Sequence, residues 1–226
     1  MGGAFGAFGK LPSMGDFLRA DTPSGFVEAW DPWLQRSLLA ARNALGPRWG
    51  DCYMTAPIWR FTLAHGLAGR LPVTGIVMAS IDRVGRQFPL TLMAPLPQGT
   101  PVMLAHLAGE AIFARLETLA LDALESSLDR LRFLQRLASL PRPTPPAAAR
   151  LAERADMLTL VRAEAGGAAD LAGALLENRL RQPSIWSALL AEGTRLMLVD
   201  GLPHNGQVTG LFDLTAPVWT QGQGGA

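Results

Sequence analysis

A chain of 226 residues that is 49% apolar and only 17% charged can bury a sizeable core, which excludes an intrinsically disordered protein. Its net charge of +1 supplies no global field to draw it to nucleic acid or an anionic membrane. The lone cysteine, Cys52, allows no intrachain disulfide, and no basic stretch followed by an apolar one opens the chain, so the sequence reads as a cytoplasmic protein.

The first informative stretch is GAFGKLPSMGDF, residues 6–17, whose glycines flank Lys10, the only lysine of the chain. Its spacing invites comparison with a phosphate-binding loop, but that motif needs a glycine where Ala4 stands and Ser or Thr where Leu11 follows the lysine. Pro12 also removes a backbone N–H that could face phosphate. The dinucleotide fingerprint fails at the same Ala4. What remains is a loop before the first helix carrying Lys10, Ser13 and Asp16, with Asp16 expected to cap the backbone or pair with Lys10.

Thr22-Pro23 has the form of a helix start, and Phe26, Trp30, Trp33, Leu34, Leu38, Ala41 and Leu45 make a helical stripe that Gly46-Pro47 ends. Residues 56–63 alternate apolar with polar and predict a strand with one buried face. Residues 73–81 form a near-continuous apolar run suited to a central strand, and residues 88–94 a further strand beyond the turn at Gly85. The connections are too short for crossover helices, so the three predict an antiparallel meander.

Residues 87–109 are uncharged over a length that could span a bilayer, but Pro89, Pro95, Pro97 and Pro101 interrupt them. Thr100-Pro101 opens a helix through Leu119, and Leu124, Leu128, Leu131, Leu134 and Leu137 predict a second with its leucines inward. The proline-rich residues 141–146 read as an extended surface loop. Beyond it, residues 147–154 and 168–180 look helical, with a short strand at 157–161 between them. Residues 184–190 and 195–199 predict a hairpin, and a last helix lies near 208–214. The order of elements points to a layered α/β or α+β fold.

No catalytic constellation stands out. His65, His106 and His204 are far apart in sequence and fit surface or capping roles, no metal-ligand spacing occurs, and no serine sits in a Gly-x-Ser-x-Gly elbow. Asp82, Arg83 and Arg86 cluster around Gly85; they read either as a self-capped turn or as an arginine-bearing recognition edge for a protein partner. Of the six tryptophans, Trp30, Trp33 and Trp59 sit at core-facing periods, and Trp49, Trp186 and Trp219 are not assigned by pattern.

Several of these stretches occur together elsewhere. Residues 9–17 (GKLPSMGDF), 30–35 (WDPWLQ), 56–61 (APIWRF) and above all 82–91 (DRVGRQFPLT) resemble, in order, the signature of the TagF family of type VI secretion accessory proteins. The match is looser at 183–186 (PSIW), which includes Trp186, and at 201–203 (GLP). The resemblance implies an α/β fold, a three-layer αβα sandwich around a mixed, largely antiparallel sheet. It implies a single TagF-like domain over residues 1–219, in the form without the phosphatase-like domain fused to some relatives, while the glycine-rich residues 220–226 read as a disordered tail. It further implies a non-enzymatic, cofactor-free negative regulator of secretion that binds the forkhead-associated scaffold protein Fha. An enzyme, a nucleotide or phospho-ligand sensor and a structural subunit of the apparatus stay open as alternatives. Lys10, Ser13, Asp16, Trp59, Asp82, Arg83, Arg86 and Trp186 are the candidate motif or partner-binding residues.

Overall fold

A computed structural model of the chain describes residues 4–124, 128–145, 150–154, 157–161, 168–177 and 179–220. Its central sheet has seven strands in the order β2-β1-β5-β4-β3-β8-β9, and every pairing in it is antiparallel. The strands are β1 (Gly6–Gly9), β2 (Leu18–Ala20), β3 (Trp59–Leu63), β4 (Val73–Met78), β5 (Leu90–Pro95), β8 (Pro183–Leu190) and β9 (Gly193–Asp200). Strands β6 (Arg150–Arg154) and β7 (Met157–Val161) form a separate hairpin.

Helices α1 (Phe26–Leu45), α2 (Trp49–Met54) and α7 (Gly206–Phe212) cover one face of the sheet. Helices α3 (Val102–Leu107), α4 (Glu110–Asp122), α5 (Arg130–Ala138) and α6 (Ala168–Leu176) lie on the other, which completes the three-layer sandwich. The predicted meander is present as β3-β4-β5, and Phe61 lies opposite Gly75, which lies opposite Met93.

The layers follow from side-chain alternation along β3. Trp59, Phe61 and Leu63 join Trp30 and Trp33 of α1 and Trp186 of β8 in an aromatic core. Trp30 stacks 6.0 Å from Trp186 and tilts 4.8 Å from Phe61, and its indole N–H donates to Thr91 Oγ1 at 3.0 Å. Arg60 and Thr62 point to the opposite face, where they too are buried. The expectation of a single buried face for this strand therefore fails, because α3 and α4 bring polar partners that satisfy its second side.

Other departures from the pattern have local causes. The opening loop leads into the short strand β2 before α1, whose N-cap is Gly25 rather than Thr22. The helix expected from Pro101 to Leu119 breaks at Gly109 into α3 and α4. Only Phe133 and Leu137 of α5 are buried, while Leu124 and Leu131 are exposed. Where a helix was expected over 147–154, the described residues 150–154 form strand β6: pairing with β7 outweighs the helical preference of its Leu, Ala, Glu and Arg. Of the tail, residues 221–226 lie outside the described residues.

Candidate functional site

Two of the conspicuous sequence stretches meet in space. Strand β1 runs between β2 and β5, and Gly9, at φ +132°, is so close to β5 that a Cβ there would overlap the Pro89 carbonyl. This approach delivers Lys10 to the turn between β4 and β5. Its ammonium stands 2.9 Å from Asp82 Oδ2 with both side chains buried. Arg86 Nε donates to the same oxygen at 2.6 Å, and the backbone N–H groups of Val84 and Arg86 donate to Oδ1 at 3.0 and 2.9 Å.

Gly85, at φ +82°, permits the turn that aims those amides inward. Burial alone would raise the Asp82 carboxyl. The Lys10 ammonium, the Arg86 backbone and side chain and the Val84 amide overcome it and hold the group well below the usual carboxylate range.

Further bonds fasten the loop on this turn. Ser80 Oγ donates to the Lys10 carbonyl at 2.8 Å, the Arg83 amide to the Met14 carbonyl at 3.0 Å and Arg86 Nη2 to the Gly15 carbonyl at 2.8 Å. Phe8, Phe17 and Phe88 pack together, with the Phe17 and Phe88 centroids 4.8 Å apart, and the Lys10 ammonium lies 5.2 Å from the Phe17 ring centroid. The result is a latch between the N-terminal loop and the β4–β5 turn.

The latch places the candidates differently from the local guess. Lys10, Asp82 and Arg86 share one centre, whereas Asp16 is exposed and does not pair with Lys10, because Asp82 is nearer and better enclosed. Ser13 Oγ is buried without a hydrogen-bond partner among the described residues. The Arg83 side chain is exposed beside Val84, which is 69% accessible, and Phe17 of the latched loop is half-exposed. Trp59 and Trp186 are both core, the first donating to the Leu211 carbonyl and the second to Ser184 Oγ.

Sequence reasoning missed a second polar centre beneath α3 and α4. Arg60 is 3% accessible and binds Glu117 through Nε at 2.6 Å and Nη2 at 2.9 Å, and Glu110 through Nη1 at 2.5 Å. These contacts, Glu117 foremost, raise its already high pKa. Next to it His106 is buried, with Nδ1 3.0 Å from Thr62 Oγ1 and Nε2 2.8 Å from Ser187 Oγ. Burial, then the Arg60 charge, pushes His106 down to about 3, so the ring is neutral.

The reading of all three histidines as surface groups is thus wrong for His106, which α3 turns towards the sheet. An arginine in the apolar strand WRFTL was the available signal. A serine beside a neutral histidine has the composition of a nucleophile and base, but Thr62 occupies the position where a carboxylate would orient the ring. Both groups are also buried. Among the described residues, no group of three or more His, Cys, Asp or Glu side chains could hold a metal ion, and no helix is long and apolar enough to cross a membrane.

Comparison with known proteins identifies a family. The model of the TagF N-terminal domain, described as type VI secretion system-associated, matches residues 6–140, which hold the latch and the Arg60 centre. The crystal structure of PA0076 from Pseudomonas aeruginosa PAO1 superposes with a TM-score of 0.75 at 37% identity, covering 92% of this chain and 93% of that one. A search of curated proteins returns no match. The chain belongs to the TagF family of type VI secretion system-associated proteins.

Proposed function

We infer that this protein is a non-enzymatic, cytoplasmic negative regulator of type VI secretion that acts by binding the forkhead-associated scaffold protein Fha. Family membership supports the secretion role, and one observation supports the binding mode: the latch ties a turn that exposes Arg83 and Val84 to a loop that exposes Phe17. Arginine and aromatic groups held on a preorganised surface are the usual makings of an interface hot spot. Against an enzyme stands the engagement of the polar groups with one another. Lys10 is neutralised by Asp82, which also weakens the alternative of a phospho-ligand sensor built on the Lys10 loop, and Ser187 and His106 are enclosed.

The test is co-purification of the full chain with Fha, alongside the amount of tube protein secreted when this chain is overexpressed. Association with reduced secretion is the expected result. No association together with unchanged secretion overturns the reading.

A further inference from the structure

A cavity of about 240 Å³ opens on the α3/α4 side of the sheet, away from every residue of the latch. Its apolar lining includes Leu96, Ala105 and Ile112, and its floor reaches Thr74 of β4. One wall is the extended segment 141–145, in which Pro141, Pro143 and Pro145 restrict the backbone before any ligand arrives. Arg115 of α4 and Arg142 of that wall stand at the opening, both exposed, and neither side chain has a hydrogen-bond or ion-pair partner among the described residues. None of the described residues lining the cavity is acidic. The neighbouring Glu110 is turned onto Arg60.

Two exposed guanidiniums with no partner among the described residues line a recess whose described lining has no acidic side chain, which makes a positive patch on a chain of almost no net charge. Guanidinium forks match carboxylate and phosphate oxygens in pairs, and small alanine walls leave the recess open to a slender apolar body. The volume lies just below that of sites for drug-sized ligands, which sets a ligand of roughly ten non-hydrogen atoms.

We propose that this cavity binds a small amphipathic anion, its carboxylate or phosphate head held by Arg115 and Arg142 and its apolar body lying on Leu96, Ala105 and Ile112. Such a site would give the protein a small-molecule input separate from its partner-binding surface.

The experiment is an NMR titration of the full chain with octanoate, octyl phosphate, octanol and acetate, each below its micellar range. Octanoate or octyl phosphate should shift the amides of Thr74, Ala105 and Arg115 saturably, and the tighter of the two assigns the head group. Octanol, which lacks the charge, and acetate, which lacks the body, should bind on the order of tenfold more weakly or not at all. The double variant R115Q/R142Q should lose about tenfold in affinity for the anion. Its melting temperature should not move, since both side chains are exposed and unpaired.

A108F, which fills the recess, should abolish binding with both arginines in place. Equal binding of octanol and octanoate overturns the proposal, as does an undiminished affinity in R115Q/R142Q or the absence of saturable shifts with either anion. No secretion partner is present in the titration, so its failure leaves the Fha reading standing.

Discussion

Lys10 and Asp82 stand 2.9 Å apart, both buried, across 72 positions of sequence, and they are not equal partners. If Lys10 is lost, Asp82 still holds Arg86 and two backbone N–H groups; if Asp82 is lost, the buried ammonium keeps, among the described residues, only the Phe17 ring. Asp82→Ala should therefore lower the melting temperature more than Lys10→Met. In a double-mutant cycle the second change should cost much less once Asp82 is gone. Thermal unfolding of the three variants checks this, and equal losses for the two single changes would show that the turn does not depend on the carboxylate.

Arg83 and Arg86, indistinguishable in the motif, should separate by experiment. The Arg83 side chain is exposed, whereas Arg86 closes the latch through Asp82 and the Gly15 carbonyl. Arg83→Glu should weaken co-purification with Fha and leave the melting temperature within about a degree or two, the usual range for an exposed and unpaired site. Arg86→Glu should lower the melting temperature itself. A variant of Arg83 that binds normally would move the interface elsewhere.

Arg60 tests the buried centre. Arg60→Ala removes the partner of Glu117 and the guanidinium that lies 5.5 Å from the Phe113 ring centroid, and should cost about 3 kcal/mol. Glu110 is 66% accessible, so Glu110→Gln should cost less than about 1 kcal/mol. Urea unfolding of both variants measures the contrast.

His106 makes stability depend on pH in a definite direction. Its folded value is about 3, and its unfolded value is the ordinary one near 6.5. Below pH ~6.5 the unfolded chain takes up a proton that the folded chain refuses until pH ~3. The stabilisation is complete above pH ~6.5 and is lost as pH falls, at up to about 1.4 kcal/mol per unit. Between pH 7 and 5 the loss should reach about 2 kcal/mol, and His106→Gln should remove most of it. Urea unfolding at the two pH values, with and without the substitution, checks the sign; an unchanged slope in the variant would assign the pH dependence to other groups.

The parts of the fold legible in sequence are those with strong periodicity or short connections. The stripe from Phe26 to Leu45 is α1, the run of three strands is the meander, and the last hairpin is β8-β9. Strand β6 is not legible in sequence because its residues favour helix and only pairing with β7 makes it a strand. The site was half legible: the motifs named Lys10 and Asp82, but a local rule offered Asp16 as the lysine's partner. Nothing within a few residues of Lys10 encodes that β1 will lie beside β5. His106 was hidden for the same reason, since Thr62 and Ser187 lie on two strands remote from α3 in sequence.

That placement of β1 also sets an order of assembly. Gly6 pairs with Met93, so the β1-β2 hairpin, synthesised before β5, has no β5 edge to join until that strand has been made. The meander, whose contacts are local, can form without it, and the N-terminal segment then docks as the late addition. Pulsed hydrogen exchange during refolding should protect amides of β3 to β5 before those of Gly6–Gly9. The Lys10 ammonium thus enters its buried position only when the strands around it are complete, and the nascent chain carries this lysine without its carboxylate until Asp82 has been made.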